Sequence, residues 1–414
     1  MPRVSLQNSF LIAALSVLLL GSVADAGTEK VLHSFSIADG DVPYGGVVFD
    51  ASGNLFGTTF YGGSTNCNGA GCGVVFKLTP AAGGSWAEST IYAFTGAADG
   101  SHPYSSLLFD AAGNLYGATY GAYDGGTGFG TVFKLTPGAN GSWSFSLLHT
   151  FEGGKDGAQP NGSLALDSAG NLYGTTFTGG SYDAGVAFEL TPTTGGRWRE
   201  TLLHTFTGGQ DGYGPSGLLL DVKGNLYGAT PYGSVAGCGD NSCGVVFRLS
   251  PTANHGWTDT ILHRFTGSDG EYPSSLAFDA SGNLYGAAAA GGNCPYCFGG
   301  CGVVFELTPG SGNVWRETDL HSFDGGGGQS PDALLFGDGA RVRGSAYSGG
   351  LGEGLIFELD SDTGWTENVL YQFSGDSDGG GPVGPIVADR AGNLYGTALR
   401  GGPLDSGVVF EITP

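Results

Sequence analysis

Apolar residues in this chain fall into short runs separated by Gly, Asn, Asp and Pro, and no segment keeps a helical period. One stretch illustrates the pattern. Ser106-Leu-Leu-Phe-Asp110 reads as a strand, and Ala111 to Asn114 as a tight turn of the residues that tolerate such geometry. A second strand starts at Leu115. Gly130 to Thr136 reads as a third, stopped by Pro137, which has no amide hydrogen to donate to a ladder. After a turn through Gly138 to Ser142, Trp143 leads into a fourth strand, Phe145 to Phe151.

The set of four strands recurs. Asn-Leu-Tyr-Gly or a close variant opens at Asn54, Asn114, Asn171, Asn225, Asn283 and Asn393, and a worn copy lies within Gly339 to Gly344, giving seven copies. Seven units of four short antiparallel strands predict an all-β, seven-bladed β-propeller. Runs such as Val-Val-Phe and Leu-Leu-Phe imply strands buried on both faces, as stacked blades require. The start and end of the repeat are complementary: Lys30 to Phe35 resembles a fourth strand with no blade ahead of it, and Gly407 to Thr413 a third strand with none behind it. The N-terminal strand is therefore expected to pair into the last blade and close the ring, leaving no long unpaired edge. Trp86, Trp143, Trp198, Trp257, Trp315 and Trp365 each precede a fourth strand; the N-terminal one lacks its Trp.

Phrases such as Asn171-Leu-Tyr-Gly-Thr-Thr176 and Gly302-Val-Val-Phe-Glu-Leu-Thr-Pro309 resemble the GloVer repeat of exported bacterial proteins, and the resemblance covers nearly all of residues 30 to 414. It implies a secreted β-propeller-like protein without an assigned biochemical role.

Composition narrows the partners. Lys plus Arg number 15 against 38 Asp plus Glu, a net charge of −23, which disfavours nucleic acid and anionic membranes. The 81 glycines sit at fixed places in the repeat, so they do not signal low complexity. Arg3, the apolar run Phe10 to Leu20 and Ala24-Asp25-Ala26 form a signal-peptide pattern, predicting export with residues 1–26 removed and 27–414 as a single domain. No other apolar run is long enough to span a bilayer.

Candidate chemistry is judged by symmetry, because a residue repeated in every blade meets the same surroundings each time and reads as structural. The Asn-Leu-Tyr-Gly core, the Trp series and the fourth-strand His33, His149, His204, His263 and His321, with Tyr92 and Tyr371 in the remaining blades, all read this way. Those histidines lie on different blades, too far apart to share one ion. The longest and most variable loops join second to third strands and one blade to the next, and both sets emerge at one end of the ring, the candidate binding face. Tyr61, Tyr123, Asp124, Tyr182, Asp183, Tyr232, Asp240 and Tyr296 lie there as candidates for a sugar or peptide. Arg343, in the worn sixth copy, and Arg400 are candidates for an anionic group. The crossing loops, except the sixth, where Gly327 replaces the Asp, carry Asp-Gly-x-x-Pro, read as turns or, at Asp39, Asp41, Asp376 and Asp378, as weak calcium ligands.

Cys67 with Cys72 and Cys238 with Cys243 read as disulfide-closed loops. The third cluster, Cys294, Cys297 and Cys301, offers one pair including Cys301 and leaves one thiol over; three sulfurs without a fourth ligand make a poor zinc site. No nucleophile elbow, His-Glu-x-x-His or phosphate loop is present. Three functions remain: a secreted propeller binding a polysaccharide or protein through its loop-rich face, an extracellular carbohydrate-active hydrolase or lyase, and a cell-surface scaffold without a small ligand.

Overall fold

The computed structural model describes residues 27–121, 128–233, 243–294, 300–336 and 341–414. They form seven four-stranded antiparallel sheets. In six of these the four strands are consecutive in the chain; in the seventh, Thr28–Ser34 pairs with Val408–Thr413 and completes the blade begun by Gly380–Ala388 and Leu394–Arg400. The ring is closed as the repeat pattern predicts. Strand ends differ slightly from expectation in the second blade, where the third strand runs Thr131–Pro137 and the fourth Trp143–Thr150. Pro137 is the last strand residue and not a stop beyond it. It lies opposite Trp143, where its missing amide hydrogen costs no ladder bond.

Each signature residue has a physical task. In the second blade Asp110 accepts bonds from the amides of Ala112 and Asn114, both at 2.9 Å, from Asn114 Nδ2 at 2.6 Å and from Tyr116 Oη at 3.1 Å. Burial alone would raise its pKa; these four bonds outweigh burial and hold the carboxyl below the usual range. Leu115 is fully buried. Gly117 stands opposite Phe133 of the next strand, and a Cβ on it would come within 2.6 Å of Phe133 Cζ. The same clash, at 2.2 to 2.6 Å, would occur at Gly57, Gly174, Gly228, Gly286, Gly344 and Gly396. Glycine is required because the tip of the phenylalanine ring occupies the space a Cβ would need.

That ring is the contact between blades. Phe35, Phe94, Phe151, Phe206, Phe265, Phe323 and Phe373 follow the fourth strands, and each meets the third-strand Phe of the next blade edge-on or steeply tilted, with centroids 5.0 to 5.2 Å apart. The hydrophobic core is correspondingly divided into seven clusters, each spanning two neighbouring blades. A second aromatic pair joins the opposite ends of the strands. Each Trp packs against the Tyr of the preceding blade's signature, or Phe56 in the first blade, at 5.7 to 6.5 Å.

This pairing accounts for the worn copy. The joint between the sixth and seventh blades has no Trp, and there Arg343 replaces Tyr, its Nε donating to Glu358 at 2.8 Å and its Nη1 to the Gly392 carbonyl of the next blade at 3.5 Å. Both members of the aromatic pair are replaced together.

Gly228→Ala is expected to destabilise the protein by about 1–3 kcal/mol, the usual range for overpacking a filled core. Denaturant unfolding of wild type and variant measures the difference.

Candidate functional site

A proline marks the start of each blade's first strand, ahead of it at Pro43, Pro103 and Pro215 and within its first residues at Pro160, Pro273, Pro331 and Pro382, and the seven strands converge on the ring axis, where backbones pack closely. A Cβ on Gly162 would lie 2.1 Å from Gly217 N, and one on Gly384 2.6 Å from the Tyr44 carbonyl. Neighbouring blades thus touch backbone to backbone. They enclose a cavity of about 700 Å³ lined by residues from all seven blades, including Ser105, Asn161, Ser163, Ser216, Ser274 and Asp332. Phe177, Pro231, Ala289, Tyr347 and Leu399, at the far ends of second strands, also line it, which places the cavity toward the end bearing the long loops.

Hydrogen bonds run round the cavity wall from blade to blade. Ser216 Oγ donates to the Ser274 carbonyl at 2.9 Å, and Ser274 Oγ to the Asp332 carbonyl at 3.2 Å, where Ser275 Oγ also donates. The Gly384 amide of the seventh blade donates to Asp332 Oδ2 at 2.9 Å. In the position after the proline the other blades carry Tyr44, Tyr104, Asn161, Ser216, Ser274 and Val383, so the sixth blade alone places a charge there. Asp332 touches the lumen and so retains some accessible surface, yet it is surrounded by protein on all sides; burial raises its pKa, with the Gly384 amide and Ser274 opposing. No ion pair to it occurs among the described residues.

Two aromatic arcs flank the loop end of the cavity. In the first, Tyr44 lies 4.9 Å from Tyr104 and 5.7 Å from Phe60, and Tyr104 lies 5.7 Å from Tyr120. In the second, Phe177 meets Tyr213 at 5.5 Å, and Tyr232 meets Tyr213 at 5.9 Å and Tyr272 at 5.4 Å. Opposite them Arg400 pairs with Glu353 at 3.1 Å and lies over the Tyr347 ring at 6.0 Å.

The predicted residues separate accordingly. Tyr61, against Phe60 and His102, belongs to the first arc, Tyr232 to the second, and Arg400 to the opposite side of the mouth. Tyr182 points to solvent at 65% exposure, and Asp183 accepts the Gly179 amide within its own loop at 2.9 Å. Arg343 is engaged in the joint between blades. Tyr123, Asp124, Asp240 and Tyr296 lie outside the described residues, as does Cys238. Cys67 is bonded to Cys72 and Cys294 to Cys301, and Cys243 is also disulfide-bonded; Cys297 lies outside the described residues.

The Asp-Gly turns use their carboxylates locally. Asp39 accepts the Ser36 amide and hydroxyl, both at 2.7 Å, and contacts His33; Asp378 accepts the Ser374 amide at 2.9 Å, the Ser374 hydroxyl and Tyr371 Oη. Asp41 forms a bridge with Tyr61, and the Asp376 carbonyl accepts the Gly402 amide. Two groups among the described residues bring three potential metal-ligand atoms within 4.8 Å of one another, His149–Asp156–Glu200 and His263–Asp269–Glu317, and neither contains these four aspartates.

The family model described as the Gloeobacter/Verrucomicrobia repeat matches residues 22–239 and 229–414. The chain belongs to this family. A comparison with curated proteins gives no match. Among solved structures, a Lactobacillus plantarum protein is similar at 15% identity and a TM-score of 0.53, covering 87% of this chain and 99% of that one. A puromycin hydrolase mutant complexed with PGG is similar at 15% identity and a TM-score of 0.51, with 86% of this chain and 50% of that one covered. At such identities the likeness extends to the fold alone. No helix among the described residues is long and apolar enough to cross a membrane.

Sequence reasoning on this repeat overlooked Asp332, Tyr44 and Tyr104, although aligning the residue after each proline isolates them. Asp332 also makes a pH prediction. Its raised pKa means the stability associated with its neutral form is present below the unfolded value and is lost as pH rises through the folded value. Asp332→Asn should therefore have a higher thermal midpoint than wild type at about pH 8, with the gap closing toward about pH 4; thermal scans across that range check it.

Proposed function

We propose that this chain is an exported binding protein that takes a saccharide into the loop-rich mouth of its channel. The observation that carries the reading is the cavity itself, hydroxyl- and amide-lined and flanked by aromatic arcs. Sugars present apolar C–H faces to aromatic rings and hydroxyl edges to groups such as Ser, Asn and Asp, so both kinds of wall have a counterpart in one ligand. Export is supported by the signal-peptide pattern in residues 1–26 and by disulfides within the loops at this end. Binding is favoured over hydrolysis by paired carboxylates because Asp332 is the one acid among the described residues lining the cavity, whereas that chemistry needs two.

Titration calorimetry against neutral, uronic and amino oligosaccharides tests the proposal, with product analysis on the same samples. Binding without new reducing ends is expected, and Tyr104→Ala or Tyr232→Ala should weaken it by about tenfold, the loss of one aromatic contact. Binding indifferent to both substitutions, or release of product, would overturn the reading.

A further inference from the structure

The perimeter of the ring carries a second feature, at the joints between fourth strands. At each joint a fourth-strand His or Tyr meets the Asp of the following crossing loop and the residue two places after Trp in the next blade. That residue is Glu88, Glu200, Asp259, Glu317 or Glu367, with Glu29 in the N-terminal strand and Phe145 in the second blade. Most joints close this set with hydrogen bonds. His33 Nε2 and Asp39 are 3.0 Å apart, His263 and Asp269 3.0 Å, His204 and Asp211 3.2 Å; Tyr92 and Tyr371 donate to Asp99 and Asp378. At the fifth-to-sixth joint Gly327 replaces the Asp.

The joint between the second and third blades is different. His149 Nε2 stands 3.8 Å from Asp156 Oδ2 and 3.8 Å from Glu200 Oε1, beyond hydrogen-bonding distance of either. His149 Nε2 and Glu200 Oε1 are both shut off from solvent and have no hydrogen-bond partner. The crossing loop departs from its repeat at the same place. Five other crossings put a hydroxyl, from Ser36, Thr95, Thr207, Thr266 or Ser374, on the crossing Asp; here Glu152 occupies that position and only its amide donates to Asp156, at 2.8 Å. The substitution removes a neutral donor and adds a third carboxylate beside the imidazole.

We propose that His149, Asp156 and Glu200 bind one divalent transition-metal ion of the zinc class. One imidazole nitrogen and two carboxylates form a donor set that such ions accept, and their charges neutralise a dication at a half-buried position. Ligands about 2.1 Å from a tetrahedral ion stand about 3.4 Å apart, so the two 3.8 Å distances from His149 need only a small contraction, and the two carboxylates, within 4.8 Å of each other, a larger one. Without a cation the cluster leaves two buried polar atoms, His149 Nε2 and Glu200 Oε1, with no hydrogen-bond partner, a costly arrangement. The ion would tie the fourth strand of one blade to that of the next. The sister group His263–Asp269–Glu317 has the same residue types and a buried Glu317 Oε1 that also lacks a hydrogen-bond partner, but its imidazole is already bonded to Asp269 at 3.0 Å.

The test uses the purified protein without a polyhistidine tag, stripped with chelator and titrated with Zn²⁺ by calorimetry and with Co²⁺ by visible absorption. One equivalent should bind, with Co²⁺ giving the d–d band of a low-coordinate site. Glu200→Gln, which keeps the side-chain shape, and His149→Ala should each weaken binding by about tenfold or more, and His263→Ala should leave it unchanged. Absence of a stoichiometric ion in wild type would overturn the proposal, as would binding that survives both Glu200→Gln and His149→Ala.

Discussion

The structure depends on the edge-on contact between the phenylalanine following each fourth strand and the third-strand phenylalanine of the next blade. A single four-stranded sheet of this composition has two apolar faces and cannot cover both by itself. Stacking solves this only if every blade has a neighbour on each side, which is the condition for a closed ring. The signature glycine makes the stacking possible, because any side chain there would displace the ring that forms the contact. The Trp–Tyr pairs lock the opposite ends of the strands and fix the rotation of one blade on the next.

Closure by the N-terminal strand follows from the same requirement. The third strand Val408–Thr413 would otherwise present an unpaired edge, and Phe35 would be missing from the joint onto the first blade, where it meets Phe76 at 5.0 Å. The one joint without its Trp is the one made by this strand, and on the sixth-blade side of it Arg343, in place of the Tyr, pairs with Glu358 of its own blade.

Much of this was legible in the sequence, because repetition multiplies weak local signals. Strand count, ring size, closure and the Cys67–Cys72 loop could all be read from spacing. The task of the signature glycine could not, since its partner Phe is in another strand and the contact is steric. The channel acid was missed for a related reason: Asp332 lies in a strand whose other residues look structural, and its meaning depends on the axis where seven strands meet. Arg343 invited a ligand because it broke the pattern, yet what it accompanies is a break elsewhere, the absent Trp. The fourth-strand histidines cannot reach one another; their partners are carboxylates of the crossing loop that follows and of the adjoining blade. Symmetry-breaking in this chain thus takes two forms, compensation at the closing joint and altered polar groups at the axis and the perimeter, and only the three-dimensional neighbours separate them.

The axis and the perimeter differ in what they offer. The axis provides a half-open space toward the loop end, walled by residues from every blade. The account's central claim, that the loop-rich mouth of this channel is where a ligand is held, is tested most directly by hydrogen exchange with a saturating bound oligosaccharide. Protection concentrated at the starts of the first strands, residues 44–46, 104–106, 161–163 and 216–219, is the predicted result. Protection confined to the turns at the opposite end, or to the outer fourth strands, would contradict it.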